Sequence, residues 1–171
     1  MKFFKFLFLF LLIGCSSSKV VTDFDSKTNF NQYKTFAFFT DAGEGLNEFD
    51  IKRSLDAIFK NLSELGFKEG ENADFYINII SKVSEPKVTN TIAIGLGSGG
   101  INGSFGVSGG IPIGGKKLDE ELIIEFVDAK TNELFWEARL ISTIKEKKTP
   151  DERVLYFKEV IKKMLNNYPP K

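Results

Sequence analysis

The sequence predicts an α+β fold: a single, mostly antiparallel β-sheet with two helices packed on one of its faces, plus a glycine-rich β-hairpin. Three observations predict it. Apolar residues alternate along several short segments, as they do in half-buried strands. In two other segments they recur every three or four residues, as they do on one face of a helix. In the second half of the chain, strand-like segments follow one another directly, which favours antiparallel neighbours.

The chain starts with a segment typical of a secretory signal peptide. Lys2 and Lys5 lie ahead of an apolar stretch that is uninterrupted over residues 6–13 and is followed by the small residue Gly14. A positive start, a short apolar stretch and a small residue at the cut are the parts of such a signal. A transmembrane helix would need roughly 20 apolar residues. A buried first strand is disfavoured because the polar residues 16–19 follow at once.

Residues 12–15 resemble a bacterial lipobox, the sequence at which the signal is cut so that the next Cys can carry lipid. Cys15 is the only Cys in the chain, and acylation explains a lone Cys in an exported protein. Stable anchoring takes at least two acyl chains or signals, and bacterial lipoproteins resemble one another in carrying a diacylglyceryl group plus an N-acyl chain. We therefore expect a cleaved signal peptide at 1–14, a tether at 15–19 lipidated on Cys15, and one domain at 20–171.

Composition narrows the function further. The chain has no His, 23 Lys plus Arg and 23 Asp plus Glu, and loss of Lys2 and Lys5 with the signal leaves a net charge of −2. The commonest general base and metal ligand is therefore missing, and the lone Cys is assigned to lipid. A basic face, the usual mark of nucleic-acid binding, is not expected. We predict no catalytic residue, no metal site, no cofactor and no nucleic-acid partner.

The first half of the chain predicts a short β-prone piece, a strand and a helix. A short β-prone piece at 20–24 precedes a strand at 33–39, which is anchored by Tyr33, Phe36 and Phe38. A helix is expected at 48–65 and ended by Gly66. Its predicted apolar face consists of Ile51, Leu55, Ile58, Phe59, Leu62 and Leu65.

The middle of the chain predicts a strand and then the glycine-rich segment. The strand covers 73–80, with Phe75, Ile77 and Ile79 on one face. Ten of the fifteen glycines follow between positions 95 and 115. We predict a hairpin of 88–95 with 103–113; a mobile flap that orders on a partner is the alternative. The GxGxxG pattern at 95–100 opens no helix, so it does not indicate a nucleotide site.

The last third predicts a hairpin and a helix. Strands at 118–128 and 134–144 flank a turn-forming sequence, with Leu134, Trp136, Ala138 and Leu140 on the inner face of the second strand. The opposite face of the sheet, to which Phe135 is assigned, mixes polar and apolar residues. We expect the glycine-rich hairpin or a partner to cover it. Residues 149–152 form a capping box for a final helix. Its predicted buried stripe consists of Val154, Leu155, Phe157, Val160, Ile161, Met164 and Leu165.

The order of these elements resembles the DUF4136 family, bacterial lipoproteins without an assigned activity. The likeness rests on 21–25 ahead of 33–38, a helix that ends at 65–67, and several later pieces that include 73–75, the glycine-rich middle, 124–128, 134–137 and 168–170. The family often has a Gly two residues after the Trp, where this chain has Ala138. The resemblance implies the fold and the location, and it brings no catalytic residues.

These observations favour a non-enzymatic envelope lipoprotein, a binding or assembly module anchored at the periplasmic face of the outer membrane, with an envelope protein as its expected partner. One alternative is a carrier of a small apolar ligand held between the sheet and the glycine-rich hairpin. Another is a hydrolase that uses carboxylates such as Asp74 or Asp128, although both are explained by their places at a strand end and in a turn.

Overall fold

The computed structural model describes residues 18–84, 117–145 and 148–170. The described helices and strands, with a 3₁₀ turn at Phe30–Gln32 after the first strand, are β1 (Lys19–Phe24), β2 (Thr35–Phe38), α1 (Glu48–Glu64), β3 (Lys68–Glu69), β4 (Phe75–Ser84), β5 (Lys117–Asp128), β6 (Leu134–Lys145) and α2 (Pro150–Leu165).

The described strands form one sheet in the order β1-β6-β5-β4-β2-β3. Strands β1, β6, β5 and β4 pair antiparallel, whereas β2 pairs parallel with both β3 and β4. Helix α1 lies between β2 and β4 in the chain and returns the chain to the end of the sheet where β2 begins. Strand β4 can therefore run parallel to β2. The predicted α+β fold with a mostly antiparallel sheet is confirmed. The glycine-rich hairpin predicted at 88–95 and 103–113 lies outside the described residues.

Both helices contribute to one core on the inner face of the sheet, as predicted. Ile58 and Leu62 of α1 and Phe157 and Ile161 of α2 belong to the same buried cluster as Phe75 of β4. The rest of that cluster is rich in aromatic rings at contact distance, including Phe36, Phe126, Trp136 and Tyr168. Burial of such large side chains contributes about 2–3 kcal/mol each and is the main force that holds the layers together.

The buried face of α1 is rotated from the predicted one. Asn47 caps the helix by accepting a hydrogen bond from the Asp50 backbone N–H at 3.1 Å. The buried residues recur every four positions as Asp50, Ser54, Ile58 and Leu62. The predicted apolar residues Phe59 and Leu65 are instead exposed. Two polar residues thus lie on the buried line of the helix, which an apolar pattern cannot reveal.

Helix α2 starts as predicted, with Thr149 as N-cap in a complete capping box. Five residues of its predicted stripe are buried, but Val154 and Leu155 are exposed. In the first turns of α2, the side chains that face the rest of the domain are Arg153 and Tyr156. They contact buried carboxylates on α1 and β5, respectively, so Val154 and Leu155 face outward.

A β-bulge changes which residues of β6 face inward. The register between β5 and β6 shifts at Phe126/Val127. As a result Leu134, predicted to be inside, is 50% exposed, and its neighbour Phe135 is only 4% exposed. The Phe135 ring stacks on Tyr33 with ring centroids 4.2 Å apart. The prediction was wrong at these two positions because a bulge reverses the alternation of faces beyond it.

Candidate functional site: the sheet edge beside the predicted anchor

The predicted lipidation site Cys15, with the signal peptide at 1–14, lies outside the described residues. Description begins at Ser18, whose Oγ accepts a hydrogen bond from Lys163 Nζ at 3.1 Å. Strand β1 then begins at Lys19, four positions after Cys15. The first strand of the domain therefore follows the predicted anchor with almost no intervening chain. Within residues 18–84, 117–145 and 148–170, the protein has no helix long and apolar enough to span a bilayer.

Strand β1 is an edge strand of the described sheet. The Asp25 backbone N–H donates to the Phe135 carbonyl oxygen at 3.0 Å, just beyond the end of the strand. Because antiparallel pairs alternate between hydrogen-bonded and non-hydrogen-bonded positions, the odd-numbered residues direct their backbone groups toward β6. The backbone N–H and C=O groups of Val20 and Thr22 consequently point away from the sheet. They form an open hydrogen-bonding edge among the described residues.

The outer face of the sheet next to this edge carries exposed apolar residues. Val21 lies opposite Arg139, and Lys19 lies opposite Ile141. Val21 is 47% exposed and Ile141 is 54% exposed. The predicted mixed character of this face holds here, but Phe135, which was assigned to it, faces inward because of the bulge. The apolar surface beside β1 is therefore small and close to the predicted tether.

An ion-pair group borders this apolar surface. Arg139 donates two hydrogen bonds to Glu137, Nε to Oε1 at 2.6 Å and Nη2 to Oε2 at 2.9 Å, and a longer one of 3.4 Å to Glu121. The Glu137 carboxylate raises the pKa of Arg139 above its ordinary value. A bidentate arrangement fixes the planes of both groups. The outer face thus presents ordered charges around Val21 and Ile141.

A second polar group is buried on the inner side, where β5 begins. Glu120 is buried, and its Oε1 accepts a hydrogen bond from Ser81 Oγ at 3.1 Å. Its Oε2 accepts from the Tyr156 hydroxyl, which also lies 3.2 Å from Ser142 Oγ. Burial and the Glu120 charge raise the pKa of Tyr156, while burial lowers the pKa of Lys148, whose Nζ lies 3.4 Å from the Tyr156 ring centre.

Asp50 joins the starts of the two helices. Its side chain is fully buried, and it accepts hydrogen bonds from Arg153 Nε at 2.8 Å, Arg53 Nη1 at 2.8 Å and Asn47 Nδ2 at 2.5 Å. Burial alone would raise the pKa of Asp50, but the arginine hydrogen bonds outweigh it and lower the pKa. The sequence gives no direct signal of this ion pair, since its partners are 103 positions apart.

The carboxylates considered for hydrolysis, Asp74 and Asp128, have structural partners. Asp74 accepts hydrogen bonds from the backbone N–H of Lys34 at 2.8 Å and of Thr35 at 2.9 Å. Asp128 accepts one at 2.9 Å from the Tyr33 hydroxyl and two from backbone N–H groups in its own turn. Burial opposes ionisation at both sites, yet these donors outweigh it and lower the pKa of each carboxyl. Low-pKa, hydrogen-bonded carboxylates are poor proton acceptors at neutral pH.

A cavity of about 360 Å³ lies between α2 and β6. Its wall includes Ser18, Ile144, Lys148, Val160 and Lys163. The ligand pocket predicted between the sheet and the glycine-rich hairpin is a different place, and it lies outside the described residues. Within the described part of the chain, no three His, Cys, Asp or Glu side chains come together as a metal site.

Solved structures of two kinds of protein have a similar fold. A PDZ domain protein from Parabacteroides distasonis matches with a TM-score of 0.57 and 18% identity, over 91% of this chain and 37% of that chain. The chain therefore spans little more than a third of that protein. Two PelC dodecamer structures from Paraburkholderia phytofirmans match with a TM-score of 0.51 and 11% and 10% identity, over 87% of this chain and 95% of theirs. At these identities the likeness shows the fold alone.

No curated protein sequence matches the chain. A family model does match: the one described as Domain of unknown function (DUF4136) covers residues 20–170, nearly the whole domain predicted at 20–171. The chain belongs to the DUF4136 family.

Proposed function

We propose that this protein is a lipid-anchored lipoprotein of the cell envelope, held through Cys15 at the periplasmic face of the outer membrane. There it acts as a non-enzymatic binding or assembly module. The observation that carries the proposal is the position of β1. This edge strand begins four residues after Cys15 and exposes Val21 beside an open hydrogen-bonding edge.

The anchor part of the proposal is supported by the first fifteen residues. They combine two lysines, a short apolar run and the only Cys of the chain in the order that a lipoprotein signal requires. Attachment at Cys15 would hold β1 close to the membrane surface. An exposed edge held there meets other membrane-bound proteins at a high effective concentration, so even a small contact area can give stable association.

The non-enzymatic part of the proposal is supported by the contacts of the described carboxylates. Asp50, Asp74, Glu120 and Asp128 all accept hydrogen bonds that tie one element to another. Their contacts explain them as parts of the framework.

The structurally similar PelC chains are described as dodecamers, and a fold of this kind is therefore compatible with assembly into larger particles.

Fractionation of cells tests the anchor. We expect the wild-type protein in the outer-membrane fraction and a Cys15→Ala variant, uncleaved or released, outside it. Protease should digest the wild-type domain only after the outer membrane is opened, if the domain faces the periplasm. Unchanged membrane partitioning of Cys15→Ala would refute the lipid anchor, and digestion in intact cells would refute the periplasmic orientation.

Site-specific photocrosslinking tests the binding role. A photoreactive residue placed at Val21 should give discrete adducts in living cells. The same residue at Asp56, which is exposed on α1 away from the sheet edge, serves as the matched control. Discrete adducts from Val21 alone support a binding surface at β1. Identical patterns from both positions, or no adduct above background at Val21, count against it.

A further inference from the structure

The sequence of β1 is complementary to itself when two copies run antiparallel. Its residues on the outer face are Lys19, Val21 and Asp23, a cation, an apolar residue and an anion at equal spacing. If two such strands pair around Val21, then Val21 faces Val21 of the second copy. Lys19 of each copy then faces Asp23 of the other, so the apolar contact lies between two opposite-charge pairs.

The backbone of β1 fits the same register. Val20 and Thr22 direct their N–H and C=O groups away from β6, as the Asp25–Phe135 hydrogen bond establishes. In a pairing centred on Val21, Val20 of one copy lies opposite Thr22 of the other. Each of these pairs exchanges two N–H···O=C bonds, which gives four across the two-fold axis. Val21 then occupies a non-hydrogen-bonded pair, where the facing side chains approach most closely.

From these observations we propose that two copies of the chain associate through antiparallel pairing of β1 with β1, centred on Val21, to form one continuous sheet. The inference deepens the proposed assembly role by naming the partner as a second copy. It also explains why this edge carries charge. An exposed Lys on an edge strand disfavours pairing with unrelated chains. In this register, however, Lys19 pairs with Asp23 of the second copy.

The charges close to the edge do not oppose this arrangement. On the neighbouring strand, Arg139 is paired with both Glu137 and Glu121, so this group carries one net negative charge and does not repel Lys19 of the second copy. Phe24, at the end of β1, donates its outward N–H to Asp23 Oδ1 at 2.9 Å. That bond leaves the second carboxylate oxygen of Asp23 for Lys19 of the second copy. The ladder is short, and confinement in a membrane would raise the effective concentration of the two edges.

Disulfide trapping in the full chain, expressed in cells and oxidised in isolated membranes, tests the pairing. In the predicted register the two Cα atoms of residue 21 lie about 4.5 Å apart, within disulfide reach, so Val21→Cys should yield a disulfide-linked dimer. The matched control is Ile141→Cys, at a similarly exposed position on the same face but one strand further in. Its two copies would be at least three strand spacings, about 14 Å, apart and should not link.

Charge reversal tests the register without relying on the trap. Lys19→Asp places like charges opposite each other twice and should weaken association of the native chain about tenfold in sedimentation equilibrium in detergent. The double variant Lys19→Asp, Asp23→Lys restores both pairs and should restore association. Absence of a Val21→Cys dimer, equal linking of Ile141→Cys, or failure of the double variant to recover would overturn the proposal.

These outcomes are separable from failure of the proposed function. If Cys15 carries no lipid, the wild-type chain retains a free thiol and links through it, while fractionation shows it outside the membrane. If Cys15 is lipidated but β1 does not self-pair, the protein stays in the membrane and Val21→Cys remains monomeric. Photocrosslinks from Val21 to a different envelope protein would then support the proposed binding role and refute a second copy of this chain as the partner.

Discussion

Asp50→Asn removes the charge at the junction of the two helices while preserving the shape of the side chain. The wild-type carboxylate is fully buried and is held by two arginines and an asparagine. Removal of one partner from a buried ion pair costs about 3–5 kcal/mol. Arg153 and Arg53 each retain 21% side-chain exposure and can regain water, so we expect the lower end, about 3 kcal/mol. In a domain of this size the melting temperature should fall by about 6–12 °C.

Urea unfolding of the purified protein, followed by the fluorescence of Trp136, measures this loss. Trp136 is the only Trp and is buried in the core, so its emission reports global unfolding. Asp56→Asn makes the same chemical change at an exposed position of α1 and should alter the free energy of unfolding by less than about 0.5 kcal/mol. A loss below about 1 kcal/mol for Asp50→Asn would contradict the assigned role of the ion pair.

The pH dependence of the same variant provides an independent check. The folded-state pKa of Asp50 lies below its ordinary value, so its ionised form stabilises the fold. That contribution is fully present above the unfolded-chain pKa of about 3.9 and is lost as the pH falls toward the lowered folded-state pKa. Stability of the wild type should therefore decline in acid below about pH 4–5, and Asp50→Asn should show a shallower decline.

Three further predictions concern stability and can be measured by the same unfolding assay. Gly45→Ala should lower the free energy of unfolding more than Gly66→Ala. Both glycines have positive φ, but an added Cβ at Gly45 would lie 1.9 Å from a backbone carbonyl oxygen of β4, whereas Gly66 has open space around it. Equal losses would contradict the close approach. Phe135→Ala should cost about 3–5 kcal/mol and Leu134→Ala less than about 1 kcal/mol, and the reverse order would contradict the bulge. Thr149→Ala should cost about 1 kcal/mol through loss of the N-cap, and no loss would contradict the observed capping box.

Local patterns predicted the fold well where a single element decides its own structure. The capping box at Thr149 set the start of α2, and Gly66, with φ of 92°, follows the end of α1 as expected. Alternation along β4 placed Phe75, Ile77 and Ile79 inside. These features depend on neighbours a few positions away, and the sequence displays such neighbours directly.

Features that depend on pairing between distant parts of the chain were not predicted. The bulge that turns Leu134 outward and Phe135 inward is a property of the β5–β6 register. Asp50 is polar and falls on the buried line of α1 only because Arg153 arrives from the other helix. A hydrophobicity pattern assigns such a residue to the surface, since its partner cannot be identified from local spacing.

The candidate surface was predicted in part. The sequence indicated only a short β-prone piece at 20–24 directly after the tether, and the structure shows that this piece is strand β1. Its position at the edge of the sheet, and the alternation that leaves Val20 and Thr22 with open backbone groups, required the pairing with β6. Lipidation of Cys15 remains a prediction, because that residue lies outside the described part of the chain.

The intact mass of the protein purified from membranes is the most direct test of the account. The proposal predicts a chain that begins at Cys15, lacks residues 1–14 and carries the added mass of a diacylglyceryl group plus an N-acyl chain. Fragmentation should locate that mass on the first residue. A mass equal to the full chain, or to a cleaved chain with an unmodified Cys15, would contradict the anchor on which the proposed function depends.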